Sequence, residues 1–151
     1  MVGCRIKKIL SSSRIGFIVN SLYFLGRRLS DDIETPVLRP LVWMGNSRKN
    51  LRAFPQGAKK LIGDELQLIQ FGGMPKDAKP LKGIGSGVFE IALRYDTDAY
   101  RTVVAVQLGK KIYVLHAFQK KSRKGITTSQ PDIDLIRQRY AEARELARNE
   151  Q

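Results

Sequence analysis

Residues 88–118, VFEIALRYDTDAYRTVVAVQLGKKIYVLHAF, contain three runs rich in β-branched and aromatic residues, separated by two turn signals. Val88 to Tyr95, Tyr100 to Leu108 and Lys111 to Phe118 read as strands, with Asp96 to Ala99 and Gly109-Lys110 between them. Connections this short join antiparallel neighbours, so the three runs form a meander. Side chains alternate along a strand. Phe89, Ile91, Leu93 and Tyr95 therefore share a core-like face, and Val88, Glu90, Ala92 and Arg94 the opposite one. In the second strand Tyr100, Thr102, Val104, Val106 and Leu108 oppose Arg101, Val103, Ala105 and Gln107. In the third, Tyr113, Leu115 and Ala117 oppose Ile112, Val114, His116 and Phe118. A helix packed on one face would leave Arg94, Arg101 and His116 to converge on the other.

Working toward the N-terminus, Met74 to Gly87 reads as a loop holding Lys76, Lys79, Lys82 and three glycines. Its lysines suit either a solvated turn or contact with an anion. Gln56 to Gln70 places Ala58, Leu61, Ile62, Leu66 and Ile69 at three- and four-residue steps, the apolar face of a helix that Gly72, Gly73 and Pro75 terminate. Ser47 suits the cap of a short helical turn through Leu51 to Phe54, ahead of Pro55. Arg39 to Met44 reads as a first or edge strand. Working toward the C-terminus, Gln119 to Gly125 contains Lys120, Lys121, Arg123 and Lys124, a run that either faces water or closes over a phosphate. Ser129 and Asp132 resemble a capping box, with Pro131 near the helix start. Ile133, Ile136, Tyr140, Ala143 and Ala147 then mark the apolar face of a terminal helix. The expected fold is α+β: a small domain over residues 39–151 with a mainly antiparallel sheet packed by helices.

Residues 1–38 read as a separate N-terminal extension, either a short accessory helix or a segment outside the domain. Basic residues flank an apolar-leaning stretch from Ile15 to Leu25, but Asn20 and Ser21 interrupt it and no small-residue cleavage site follows. The stretch is also far short of the roughly 20 apolar residues that span a bilayer. A cytoplasmic protein without a membrane partner is the expectation.

The 151 residues contain 27 Lys and Arg against 14 Asp and Glu, a net charge of +13, which attracts polyanions. Residues 1–40 hold seven bases and three acids, and residues 41–151 hold 20 and 11, so the basic character does not depend on the extension. One cysteine, Cys4, and one histidine, His116, give no internal disulfide and no histidine-rich zinc site. No metal and no cofactor is expected. Neither a P-loop nor a G-x-G-x-x-G fingerprint opens a helix.

Several short stretches together resemble a known family. They are Trp43-Met44-Gly45-Asn46-Ser47, Leu51-Arg52-Ala53-Phe54-Pro55, Gln70-Phe71-Gly72, Pro75, Lys79-Pro80-Leu81-Lys82-Gly83, Val88-Phe89-Glu90-Ile91, Tyr100-Arg101, and Val114 through Ser122. In order and spacing they resemble the RelE/HigB-like ribosome-dependent RNase toxins, and most closely the phage-derived Gp49-like branch, over about residues 39–148. The resemblance implies a type II toxin that cuts messenger RNA on the ribosome. It also implies a helix-turn-helix antitoxin, and operator DNA reached only through the toxin–antitoxin complex. Arg101 matches the family's middle-strand arginine, expected at the reacting phosphate, and Lys121 matches a basic position at the end of the next strand. Where the RelE branch carries two catalytic lysines, this chain has Glu90 and Ala92.

Metal-free RNA cleavage needs a cation on the phosphoryl oxygens, a base for the 2'-hydroxyl and an acid for the leaving 5'-oxygen. Arginine suits the phosphate through its charged, rigid fork. The candidate catalytic set is Arg101, His116, Lys121 and Glu90, and the candidate RNA-binding set is Lys79, Lys82, Arg94, Tyr100, Lys120, Arg123 and Lys124. His116 suits proton transfer, its ordinary pKa being about 6.5, or else a hydrogen-bond network in the core. Tyr100 suits stacking on a base or packing beside the sheet. The other class of reading is a non-catalytic module that binds nucleic acid or an antitoxin, since positive charge alone does not establish turnover.

Overall fold

Val88, Val103 and Ala105 lie on the strand face opposite Ile91 and Val104, so both faces of the meander are apolar and both need cover. The computed structural model describes residues 37–120 and 128–150. In chain order these form β1 (Leu41–Trp43), α1 (Ser47–Arg52), α2 (Gln56–Gln70), β2 (Ala78–Pro80), β3 (Val88–Tyr95), β4 (Asp98–Leu108), β5 (Lys111–Lys120) and α3 (Gln130–Asn149). The strands make one sheet in the order β1-β5-β4-β3-β2, antiparallel except for the parallel pairing of β1 with β5. The α+β architecture with a mainly antiparallel sheet is therefore observed. Of the anticipated extension over residues 1–38, only Val37 and Leu38 fall among the described residues.

Helix α2 covers one face. Ile62, Leu66 and Ile69 pack over Ile91, Val104, Ile112 and Val114, and Phe54 and Ala58 continue the layer over Tyr100 and Ala117. Helix α3 covers part of the other face, with Ile136, Ala143 and Ala147 over Val88, Val103, Ala105, Tyr113 and Leu115. The expectation of one covered and one open face is thus corrected. The second face carries enough apolar surface to hold a helix, and α3 shares it with the charged residues.

Strict alternation also fails in β5. Val103 pairs with His116 but Val104 pairs with Val114, so Leu115 is an extra residue, a β-bulge. Ile112 and Val114 face α2, while Tyr113 and Leu115 face α3. Beyond the bulge the parity reverses. His116 now contacts α3, and Ala117 joins the α2 side. A second register shift between Ala105 and Leu108 brings Leu108 against the α3-side core, contrary to its expected alignment with Val104 and Val106.

Two local expectations change as well. The stretch before β3 contains β2, in which Lys79 pairs with Glu90. The N-cap of α1 is Asn46 rather than Ser47, with no side-chain cap bond, because the Asn46 amide oxygen accepts from Arg139. At α3 the anticipated cap is present: Ser129 accepts from the Asp132 backbone N–H and donates to the Asp132 carboxylate. Among the described residues, no helix is long and apolar enough to cross a membrane.

Candidate functional site

Cross-strand pairing arranges the α3-facing side chains in rows. Lys79, Glu90, Val103 and His116 lie abreast on β2, β3, β4 and β5. The next row is Ala92, Arg101 and Phe118, and the row after that is Arg94, Ala99 and Lys120. Directly opposed residues share a face, so three strands deliver Glu90, Arg101 and Lys120 to one surface. Further along the same face, the Val88, Ala105 and Tyr113 row belongs to the core beneath α3. The polar site begins where that apolar cover ends.

Glu90 is only 7% exposed, and a carboxylate so buried needs partners for both oxygens. Arg101 Nη1 donates to Oε1 in an ion pair, and the Thr128 hydroxyl donates to Oε2 at 2.6 Å. Thr128 precedes the α3 cap residue Ser129, so this bond fastens the approach to that helix onto the centre of the sheet. Burial lowers the Arg101 guanidinium from its ordinary value, yet it keeps its charge. Burial, and secondarily repulsion from Arg101, lowers the Lys120 ammonium. A lowered lysine gives up its proton more readily.

His116 is 5% exposed and held at both ring nitrogens. Arg139 Nη1 stands 3.3 Å from Nδ1, and Asp132 Oδ1 stands 3.2 Å from Nε2. Arginine has no acceptor, so Nδ1 must accept, which places the ring proton on Nε2, where it is donated to Asp132. Burial pushes the imidazole pKa down, and the nearby Arg139 charge adds to this, while the hydrogen bond to Asp132 pulls the other way. The result is a neutral imidazole with a fixed tautomer. Of the two sequence-level readings for His116, this geometry matches the hydrogen-bond network.

Arg139 is the centre of that network. Its Nη1 also donates to the Leu115 carbonyl at 2.9 Å, and its Nη2 donates to Asn46. One side chain of α3 therefore ties together the β5 bulge, the histidine and the turn after β1. Gly45 in that turn has φ +52°, and a Cβ there would come within 2.8 Å of Arg139 Nη2. Both the backbone conformation and the close approach favour glycine.

The structure thus brings Glu90, Arg101, His116 and Lys120 together, with Lys79 and an exposed Arg94 on the same face by register. Lys82 lies exposed in the connection from β2 to β3, apart from the rows. Tyr100 is on the other face, 3% exposed and packed on Phe54 with ring centroids 4.7 Å apart. Its packing role is the one observed, and base stacking there has no surface to use. Lys121, Arg123 and Lys124 lie outside the described residues. Sequence reasoning missed Thr128, Arg139 and Asn46, treated Asp132 only as a cap, and gave Phe118 no role. One signal was present: Arg139 stands on the apolar stripe defined by Ile136, Ala143 and Ala147. Among the described residues, no three His, Cys, Asp or Glu side chains gather as a metal-binding group.

No curated protein matches the chain. A family model described as "Phage derived protein Gp49-like" (DUF891) matches residues 49–141, a span that begins in α1, includes every strand of the meander and ends within α3 after Arg139. With more than half of its length so matched, the chain belongs to the phage-derived Gp49-like family, a family of the RelE/HigB-like toxin type.

Proposed function

We propose that the protein is a ribosome-dependent messenger RNA endoribonuclease, the toxin of a type II toxin–antitoxin pair acting in the cytoplasm. The observation that carries this reading is the grouping of Arg101, Lys120 and Glu90 on one face of a toxin-family sheet. These are a phosphate-binding cation, a lysine with a lowered proton affinity and a carboxylate, the groups that phosphoryl transfer from the 5'-oxygen to a 2'-hydroxyl requires.

In this mechanism Arg101 turns its fork from Glu90 to the scissile phosphate, exchanging one oxyanion for another. The Glu90 oxygen released by Arg101 then takes the proton of the 2'-hydroxyl as that oxygen bonds to phosphorus. The bond from phosphorus to the 5'-oxygen breaks, and Lys120 gives that oxygen a proton. The products are a 2',3'-cyclic phosphate and a 5'-hydroxyl. Lys121, Arg123 and Lys124 follow Lys120 in the chain and supply further charge for the RNA backbone. His116 holds the sheet and α3 in place while remaining neutral. The ribosome orients the RNA, so a small site need not provide all of the positioning. A helix-turn-helix antitoxin neutralises the protein and carries it to operator DNA.

The test is mapping of messenger RNA ends in a purified translation reaction, with and without ribosomes, using the parent and Arg101→Ala. New 5'-hydroxyl ends that require both the ribosome and Arg101 are expected. Ends bearing a 5'-phosphate would overturn the chemistry. Retardation of RNA by folded parent protein without any new ends would favour the non-catalytic binding module.

A further inference from the structure

An RNA nuclease that acts at a chosen position has to hold a base as well as a phosphate, and on single-stranded RNA that is commonly done by stacking on an aromatic ring. Tyr100, next to Arg101 in sequence, is sealed in the core on the other face. The aromatic that reaches the correct face is Phe118, which the Leu115 bulge brings into register directly opposite Arg101. It retains partial exposure at the edge of the α3-side core and lies between His116 and Lys120 along β5.

Phe118 is also backed by a rigid neighbour. The His116 ring stacks on it with centroids 4.9 Å apart and an interplanar angle of 22°. That imidazole is fixed at both nitrogens by Arg139 and Asp132 and is almost wholly buried. A ring supported in this way loses little freedom when a base settles on it. The same arrangement gives the buried histidine a purpose without proton transfer, because a neutral imidazole of fixed tautomer is a flat, unchanging support.

We propose that Phe118 is the base-stacking platform of the site and takes an RNA base beside the phosphate held at Arg101. The proposal deepens the RNA-cleaving reading and rests on it. Its test uses ribosomes programmed with messenger RNA carrying 2-aminopurine at each position of the decoding codon in turn. A 2'-deoxy sugar at the cleavage nucleotide blocks reaction, so binding is read alone. Stacking quenches the 2-aminopurine fluorescence. Parent protein and Phe118→Trp are expected to quench at one position, while Phe118→Leu, which keeps an apolar side chain against the core, binds about tenfold more weakly and leaves the probe bright. Unchanged quenching by Phe118→Leu would overturn the proposal.

A second arm needs no protein variant. Removing the base at each codon position in turn should weaken binding of the parent at the position that quenches, by about the same factor. Equal binding to every abasic messenger would overturn the platform even if Phe118→Leu failed to fold. The nuclease reading fails separately, if the parent leaves an all-ribose messenger intact on the same ribosomes while the quenching persists.

Discussion

At the scale of single residues, Arg139 makes the most far-reaching contacts of the site although it takes no part in the proposed chemistry. Truncation to alanine would leave the buried Leu115 carbonyl and His116 Nδ1 without their donor, and would also free the amide oxygen of the exposed Asn46. A loss of about 2–4 kcal/mol is expected in chemical denaturation of Arg139→Ala. A loss below about 0.5 kcal/mol would mean that water replaces the guanidinium. His116 makes a prediction of opposite sensitivity. Its pKa is lower in the folded protein than in the unfolded chain, so the unfolded state binds the extra proton first as pH drops. The stability from keeping the ring neutral is complete above about pH 6.5 and is lost as pH falls toward the depressed folded value. Melting temperature should therefore fall on acidification from pH 7, and His116→Gln should remove that part of the dependence. An unchanged pH profile in the variant would contradict the assignment. Tyr100→Phe, in contrast, should leave RNA cleavage unchanged, because the ring lies in the core on the other face.

At the scale of elements, the alternation in Val88 to Tyr95 and in Tyr100 to Val106 was enough to place Glu90, Arg94 and Arg101 on one surface. His116 was rightly set with Arg94 and Arg101, but its grouping with Ile112 and Val114 fails, because those two face α2, and the change of parity between Val114 and His116 was not legible. Leu115 is an ordinary strand residue, and its role as the bulge arises from pairing with β4, a contact between distant parts of the chain. Strand β2 was hidden for a related reason: Ala78, Lys79 and Pro80 have little strand preference of their own, and only the edge of β3 makes them a strand. Helix α3 was legible in its cap and apolar stripe. Its place over the same face as the site was not, because periodicity tells which side of a helix is buried and not which sheet face receives it. The cap supports a local prediction. Ser129 both accepts from the Asp132 backbone and donates to the carboxylate that His116 uses, so Ser129→Ala should cost about 1 kcal/mol and weaken the hold on the imidazole. Urea denaturation measures the first effect. An NMR titration of His116 measures the second, as an imidazole pKa lower than in the parent, since the bond to Asp132 acts to raise it.

At the scale of the whole molecule, the charge of +13 was plain from composition, but where it concentrates depends on the fold. From Val37 to Gly63 the chain carries six Lys or Arg and no acid. Arg39 spends its guanidinium on the Val106 and Lys111 carbonyls, at 2.6 and 3.0 Å, and so holds β1 against the β4–β5 hairpin. Arg48, Lys49 and Arg52 on α1 and Lys60 on α2 are exposed instead. Helix α1 follows directly from the Asn46 turn that Arg139 grips, so its basic residues are carried on a segment fastened to the site. An RNA surface as large as a ribosome would meet that segment as well as Arg101. Each phosphate contact contributes about 0.7–0.9 to the slope of log affinity against log salt concentration. The triple variant Arg48→Ala, Lys49→Ala, Arg52→Ala should therefore bind programmed ribosomes with a slope shallower by about 2–3, whereas Arg101→Ala removes about one contact's worth. The two variants also separate binding from turnover: the triple variant should recover cleavage at low salt or high protein concentration, and Arg101→Ala should not. An unaltered salt slope in the triple variant would show that α1 faces away from the RNA and that the rows around Arg101, with the basic residues after Lys120, carry the electrostatic attraction alone.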